Sequence, residues 1–290
     1  MMKTKRMPAR EWSERIILAL LFIGIGYLIY FIFSPFRPQL QPVNDYLGRF
    51  GLAAVLLVTT LLAGKSERYR PYQPIFLGLL IMIIAVSLDW VSAIYLIEYL
   101  GVDGKTITGS VLQKINEFVI IVTTVISLTL LSKGSLSSIY IQKGNLKLGL
   151  AIGGVTFLLA AGISTSLSEF LFKGQNLTPG RIIPWLPWLL IFVLANAAEE
   201  ELLFRGLFLR KLQPFYGKFI SNILIAFVFS FLHLGVDYTS NDWLFFGGTA
   251  LAALAWGALM QKTDSIWGSI LFHAGMDIPI LLGIFSNLQL

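Results

Sequence analysis

Three consecutive carboxylates, Glu199, Glu200 and Glu201, close an apolar run, and Arg205 follows four residues after the last of them. The chain has two histidines, each inside its own apolar stretch: His233 after Phe229, Ser230, Phe231 and Leu232, and His273 after Leu271 and Phe272. Residues four apart share a helix face, which pairs Glu201 with Arg205, Asn196 with Glu200, and His273 with Asp277. Glu199 falls off these faces and is expected to look toward a loop or the lipid headgroups. Ionisable groups within membrane-crossing segments are costly, so they mark functional positions. A single histidine on an apolar helix is more often a hydrogen-bonded core residue, and three acids at a helix end are as readily interfacial charges that snorkel. Two histidines on two helices, with a glutamate pair on a third, point instead to a polar catalytic or ion site.

A carboxylate taken out of water gains basicity. Beside a neutral imidazole it can deprotonate a water molecule, and that water can attack a carbonyl. A second histidine, oriented by Asp277, can donate to the developing oxyanion. These are the ingredients of amide hydrolysis without a protein nucleophile. The same atoms would also make an open zinc site of Glu200, His233 and His273. The helical H-E-x-x-H pattern of common zinc peptidases is absent, so both readings stand.

Such residues need a scaffold, and composition names it. Of 290 residues, 56% are hydrophobic and 13% charged, against about 25% charged in a soluble domain. The chain therefore falls in the membrane class. Its net charge of +6 lies mostly in the connections, with no basic face or stripe, which argues against a nucleic-acid partner. Cysteine is absent, which removes disulfides, thiolate metal sites and a Cys nucleophile.

A hydrocarbon core about 30 Å thick takes roughly 20 apolar residues per helix. The candidate spans are 16–34, 48–64, 74–100, 112–132, 147–172, 182–209, 217–235, 243–261 and 265–286. The expected fold is all-α, a polytopic transmembrane bundle of about eight or nine helices. The runs are too long and too uniformly apolar for barrel strands. Segment 74–100, with Asp89 in its middle, reads as one tilted helix or a broken one. The first run is preceded by Lys3, Lys5, Arg6, Arg10 and Arg15 and ends at Ser34, Pro35, Phe36 and Arg37. It reads as an anchored helix rather than a removed signal. Basic residues recur in alternate connections, at 65–70, 133–147, 210–218 and 262, while Asp45, Asp103, Asp237 and Asp242 mark the others. By the positive-inside rule the N-terminus is cytoplasmic and the C-terminus outside, in what is expected to be the plasma membrane.

At the residues first described the chain resembles a family. Residues 200–205 fit E-E-x-x-x-R, 229–233 fit F-x-x-x-H, and 273–277 fit H-x-x-x-[N/D]. In order and spacing these look like the three motifs of the CPBP family, which groups type II CAAX prenyl endopeptidases with the bacteriocin-processing and immunity proteins called Abi. The resemblance covers about 182–286 and leaves the role of residues 1–180 unassigned, within one continuous bundle whose part 181–290 is catalytic. It implies a conical cavity open to the cytoplasm and an intramembrane endopeptidase. Its substrate would be a peptide or membrane protein, lipidated or not. Glu200 would activate water with His233 assisting, His273 and the residue at 277 would stabilise the oxyanion, and Glu201 and Arg205 would be the supporting pair. Position 277 is Asp where tested peptidases of the family often have Asn, which puts its role as a direct donor in question. A divalent metal such as zinc is disputed for the family. The alternative functions are bacteriocin immunity and a membrane scaffold without proteolysis. A proton-coupled transporter fits less well, since no internal repeat is present.

Four further acids, Asp89, Glu98, Glu117 and Glu169, could each gate a cavity or select substrate, but are read first as interfacial or helix-pairing charges. The Pro184, Trp185, Leu186, Pro187 and Trp188 run reads as an interfacial belt at a helix start. Gly247, Gly248 and Gly257 are expected to permit close helix packing.

Overall fold

The computed structural model describes residues 9–33, 39–234 and 236–288, with side chains from Trp12 onward. Lys3, Lys5, Arg6 and the expected helix stop at 34–37 lie outside the described residues. All regular structure among the described residues is helical. In order these are α1 (Ala9–Tyr27), α2 (Pro42–Lys65), α3 (Gln73–Glu98), α4 (Ile107–Leu131), α5 (Leu146–Leu171), α6 (Pro179–Glu200), α7 (Leu207–Leu232), α8 (Asp242–Thr263) and α9 (Trp267–Ser286). A π turn, Leu28–Ile32, prolongs α1, and a second, Glu201–Gly206, joins α6 to α7. The helix starts follow local chemistry. Thr106, Asn145 and Asn241 each accept a bond from a first-turn backbone N–H of α4, α5 and α8, as N-cap residues do. Prolines open α2 and α6, where a missing N–H loses nothing.

Among the described residues, eight helical stretches are long and apolar enough to cross a membrane. One of them, Pro179–Leu232, runs for 54 residues, about 80 Å if straight and far more than a bilayer takes. It folds back at Gly217, whose φ of 72° and ψ of 177° are not helical. Glycine reaches that conformation without steric cost. The rings of Phe204 and Phe229 stand 5.0 Å apart by centroid, whereas an unbroken helix would separate them by about 37 Å. The expected spans 182–209 and 217–235 are thus the two legs of one helical hairpin. Segment 74–100 resolves as a single unbroken helix, α3.

Large apolar side chains such as Leu131, Phe170 and Leu251 point outward, as lipid allows. One apolar core joins α1 to α4 with α6 to α9. The tightest helix pair is α5 with α9, where Gly153 and Gly149 meet the backbone of Gly268 and Gly275 meets that of Phe157. Small residues let helices approach in this way. Gly257 likewise makes room for the Asn222 side chain. By contrast, a Cβ on Gly247 or Gly248 would meet nothing within 4 Å, so these two do not serve close packing; they sit on an exposed stretch of α8. The proline–tryptophan run is also displaced from expectation. Pro184 and Pro187 lie inside α6, and Trp185 is buried with its ring edge against Phe285. Core packing has taken that ring from the interface.

The connections sort into two ends. At one, Tyr216 donates to the carbonyl of Arg15 at 2.6 Å, Arg68 and Tyr72 bond Glu14, and Gln261 reaches the carbonyl of Lys218 at 3.0 Å. Arg210 pairs there with Asp264, and the N–H of Asn145 bonds the carbonyl of Thr263. This end gathers the start of α1, the α2–α3, α4–α5 and α8–α9 connections, and the fold at Gly217. At the other end Ser240 bonds Leu171, Gln175 bonds Ser286, and Lys173 reaches the carbonyl of Asp237.

Candidate active site

The glutamates stand where α6 gives way to the π turn. Glu200 is the last residue of α6, Glu201 the first of the turn, and every residue of the turn is buried. π turns concentrate at functional sites because the extra residue re-aims side chains. Glu201 and Arg205 form a fully buried ion pair at 2.9 Å. The Arg205 guanidinium lies 4.3 Å from the ring centroid of Phe229 and 5.2 Å from that of Trp256, so both aromatic faces help hold its charge away from water.

His273, on α9, joins this pair to Glu200. Its Nδ1 is 3.0 Å from Glu201 Oε1, which assigns the Nδ1 proton to that bond. Its ring stacks on Trp256 with centroids 3.7 Å apart and planes at 12°. Nε2 is thereby turned toward Glu200 Oε2 at 3.4 Å and Asp277 Oδ1 at 3.5 Å. The main anchor of His273 is Glu201, rather than the expected Asp277. Asp277 in turn accepts a bond from Asn196 Nδ2 at 3.0 Å. Asn196 therefore serves Asp277, while it lines the cavity beside Glu200. His233 ends α7, with Nδ1 3.3 Å from the carbonyl oxygen of Phe229. Phe229 thus supports both Arg205 and His233.

Glu200, His233, Asp277 and Asn196 line one cavity of about 310 Å³. Its facing wall comes from the helices to which the sequence assigned no role: Tyr30, Arg49, Asp89, Lys114 and Glu117. Glu199 corrects an expectation. It is 1% exposed and points at neither loop nor headgroup; its Oε1 bonds Lys114 Nζ at 2.8 Å. Three adjacent carboxylates on one helix turn must diverge, and Lys114 of α4 is the cation that lets the first one stay buried. Lys114 pairs with Glu117 as well, so Glu117 is a helix-pairing charge, as read, but one inside the cavity wall. Asp89 lines the wall too, whereas Glu98 and Glu169 are exposed.

Sequence reasoning passed over Lys114, although a lysine inside the apolar run 107–131 carries the same signal of cost as a buried acid. It also passed over Tyr238, a cavity residue in the α7–α8 connection. Burial, then the charges of Glu200 and Asp277, push the Tyr238 hydroxyl well above the ordinary tyrosine range. It stays a neutral donor.

The cavity is lopsided along the bundle. Phe33, Ser110, Tyr238 and Ile284 line it close to helix termini of the α5–α6 and α7–α8 end. Among the described residues, none of its lining comes from the basic connections. Among the described residues, too, no three His, Asp or Glu side chains converge as metal ligands. Glu200, His233 and His273 do not converge in that way, although the bonds at His273 Nδ1 and His233 Nδ1 are of the kind that metal-ligating histidines make and leave each Nε2 able to ligate.

The fold defines a multi-pass helical membrane protein, and its buried glutamate–histidine network faces a cavity. Residues 182–279, about a third of the chain, match the family model for type II CAAX prenyl endopeptidase Rce1-like proteins. This segment carries the three motifs, and its similarity is to a family of CAAX-type proteases. No curated protein and no solved structure matches the chain.

Proposed function

We propose that the protein is an intramembrane endopeptidase that hydrolyses a peptide bond in a membrane-associated peptide or protein. The observation that carries this reading is the Glu200 carboxylate. It is buried, faces a cavity large enough for a peptide segment, and stands 3.4 Å from an imidazole whose other nitrogen is held by a second carboxylate. A site of this kind keeps a base and a proton donor together in a place from which bulk water is excluded.

In this mechanism Glu200 takes a proton from water, and the hydroxide oxygen attacks the scissile carbonyl carbon. His233, whose Nδ1 proton goes to Phe229, presents Nε2 as an acceptor that orients the attacking water. The carbonyl electrons move to oxygen, and His273, protonated at Nε2, donates to that oxyanion while Glu201 balances its charge. Asn196 holds Asp277 by Oδ2, which leaves its Oδ1 beside His273 Nε2, where it helps orient the imidazole. The proton on Glu200 passes to the leaving amide nitrogen as the C–N bond breaks. Each step uses side chains alone.

The test is cleavage of a peptide library, with and without lipidated C-termini, by purified protein in detergent. Glu200→Gln and His233→Ala are run beside the wild type, each with and without a chelator. Cleavage by the wild type and its loss in both variants supports the reading. A wild type that cuts nothing, or variants that cut equally well, would turn the site over to binding, as in immunity or scaffolding. Loss of activity with chelator alone would replace the side-chain mechanism with a metal-assisted one.

A further inference from the structure

We infer that the cavity opens to the extracytoplasmic side of the membrane, so that its substrate is a peptide or chain segment presented from outside. This specificity rests on the peptidase reading, whereas the orientation does not.

The cations are divided unequally between the two ends of the bundle. The end that gathers the fold at Gly217 holds Lys65, Arg68, Arg70, Lys133, Lys143 and Lys147, with four more at 210, 211, 218 and 262. The segment leading into α1 adds Lys3, Lys5 and Arg6 in sequence, and the first turns of α1 add Arg10 and Arg15. The opposite end has Lys105, Lys173 and Arg181, with Arg37 in the α1–α2 connection. Membrane proteins keep the Lys- and Arg-rich connections in the cytoplasm, and short loops such as these obey that rule best. The bonds that tie these connections together show that they share one end in space. The rule therefore acts on the bundle as a whole rather than on isolated loops.

The cavity leads away from that end. Ser110 lies in the first turn of α4, Ile284 in the last turn of α9, and Tyr238 in the α7–α8 connection, and all three line the cavity. Glu200 is ten residues from Arg210 along its helix, about 15 Å from the basic end, and the intervening turns are fully packed. The catalytic wall is thus closed toward the cytoplasm and reached from the other face. A prenylated C-terminus presented in the cytoplasm would meet the sealed end of the bundle, so a conical cavity open to the cytoplasm does not describe this chain.

The absence of cysteine allows a direct test. Single substitutions Ser240→Cys at the lightly charged end, Lys143→Cys at the basic end and Ser110→Cys in the cavity are expressed in the full-length chain. Intact cells are exposed to a membrane-impermeant maleimide, before and after permeabilisation. The inference expects the Ser240→Cys and Ser110→Cys variants to react in intact cells and the Lys143→Cys variant to react only after permeabilisation. Labelling of the basic end in intact cells, with Ser240→Cys protected, would overturn the orientation. Labelling of Ser240→Cys with the cavity position protected until permeabilisation would overturn the opening. Gln175→Cys, exposed at the same end as Ser240, replaces Ser240→Cys should that variant fail to accumulate. No arm reads peptidase activity, so a peptidase that proves inactive leaves this result standing.

Discussion

The two walls of the cavity hold their charges in different ways. On the α6–α9 wall, Glu200, Glu201, Arg205, His273, Asp277 and Asn196 form one connected set, with each group placed by the next and aromatic rings closing the back. On the α1–α4 wall the charges come as small separate clusters: Lys114 between Glu117 and, across from α6, Glu199, and Arg49 with Asp45. A connected set can hand a proton along and keep its geometry while it does so. A local cluster neutralises charge and shapes the space. The difference teaches that, on the peptidase reading proposed above, the two walls share one cavity and divide chemistry from containment.

Glu200→Gln is the sharpest way to break that division. It preserves volume and removes the base, and kcat/KM should fall by about 10²–10⁴-fold, the usual contribution of a general base. Thermal stability should hold, because an amide still fits beside His273. If cleavage persists, the α6–α9 wall does not carry the chemistry. Arg205→Ala tests whether that wall is connected. It leaves Glu201 buried without its cation, and removing one partner of a buried pair costs about 3–5 kcal/mol. The loss should appear as a lower midpoint in detergent unfolding. The double variant Glu201→Gln with Arg205→Met should recover much of the stability but not the activity, since His273 would then lose its anchor. Recovery of both would make the pair merely structural.

Lys114→Met probes the other wall. Glu199 and Glu117 would be left facing each other without a cation, so the midpoint should drop and kcat/KM should fall by about tenfold, equivalent to roughly 1.4 kcal/mol. That loss should lie mainly in KM, because the cavity changes shape while Glu200 and His273 stay in place. A fall in kcat as deep as that of Glu200→Gln would place Lys114 in the reaction and erase the distinction between the walls.

This division also explains what could be read from the sequence. The α6–α9 wall was legible because its residues are rare in apolar segments and recur at helical spacing: two histidines, a glutamate pair, and an Asp four residues from His273. The spans followed from apolar runs of bilayer length. The partners across helices were not legible, since spacing along one helix says nothing about which neighbour packs against it. Glu199 is the plain case. Its face pointed away from the motif, and only the approach of α4 shows that it meets Lys114. His273 is another: Asp277 is its neighbour on α9, yet Glu201 from the π turn holds its ring. The π turn itself shifts side chains from the faces that a regular helix would give them. Gly247 and Gly248 failed in the same way, because glycine in a sequence does not reveal whether a helix or open space lies opposite.

Tyr238→Phe is the finest test of containment against chemistry. Tyr238 sits in the α7–α8 connection and lines the cavity beside the reactive wall. Burial first, and then the nearby Glu200 and Asp277 charges, raise its pKa, so the neutral phenol persists above the pH at which an exposed tyrosine ionises. It can donate a hydrogen bond to a bound peptide, but it does not titrate in the working range. Removing one such bond should cost about 1 kcal/mol, roughly fivefold in kcat/KM. The alkaline limb of the pH–rate profile should stay where it is, because the group removed was protonated on both sides of it. A shift of that limb in the phenylalanine variant would mean that Tyr238 exchanges its proton during turnover. The reactive set would then extend from the helices into the connection at the mouth.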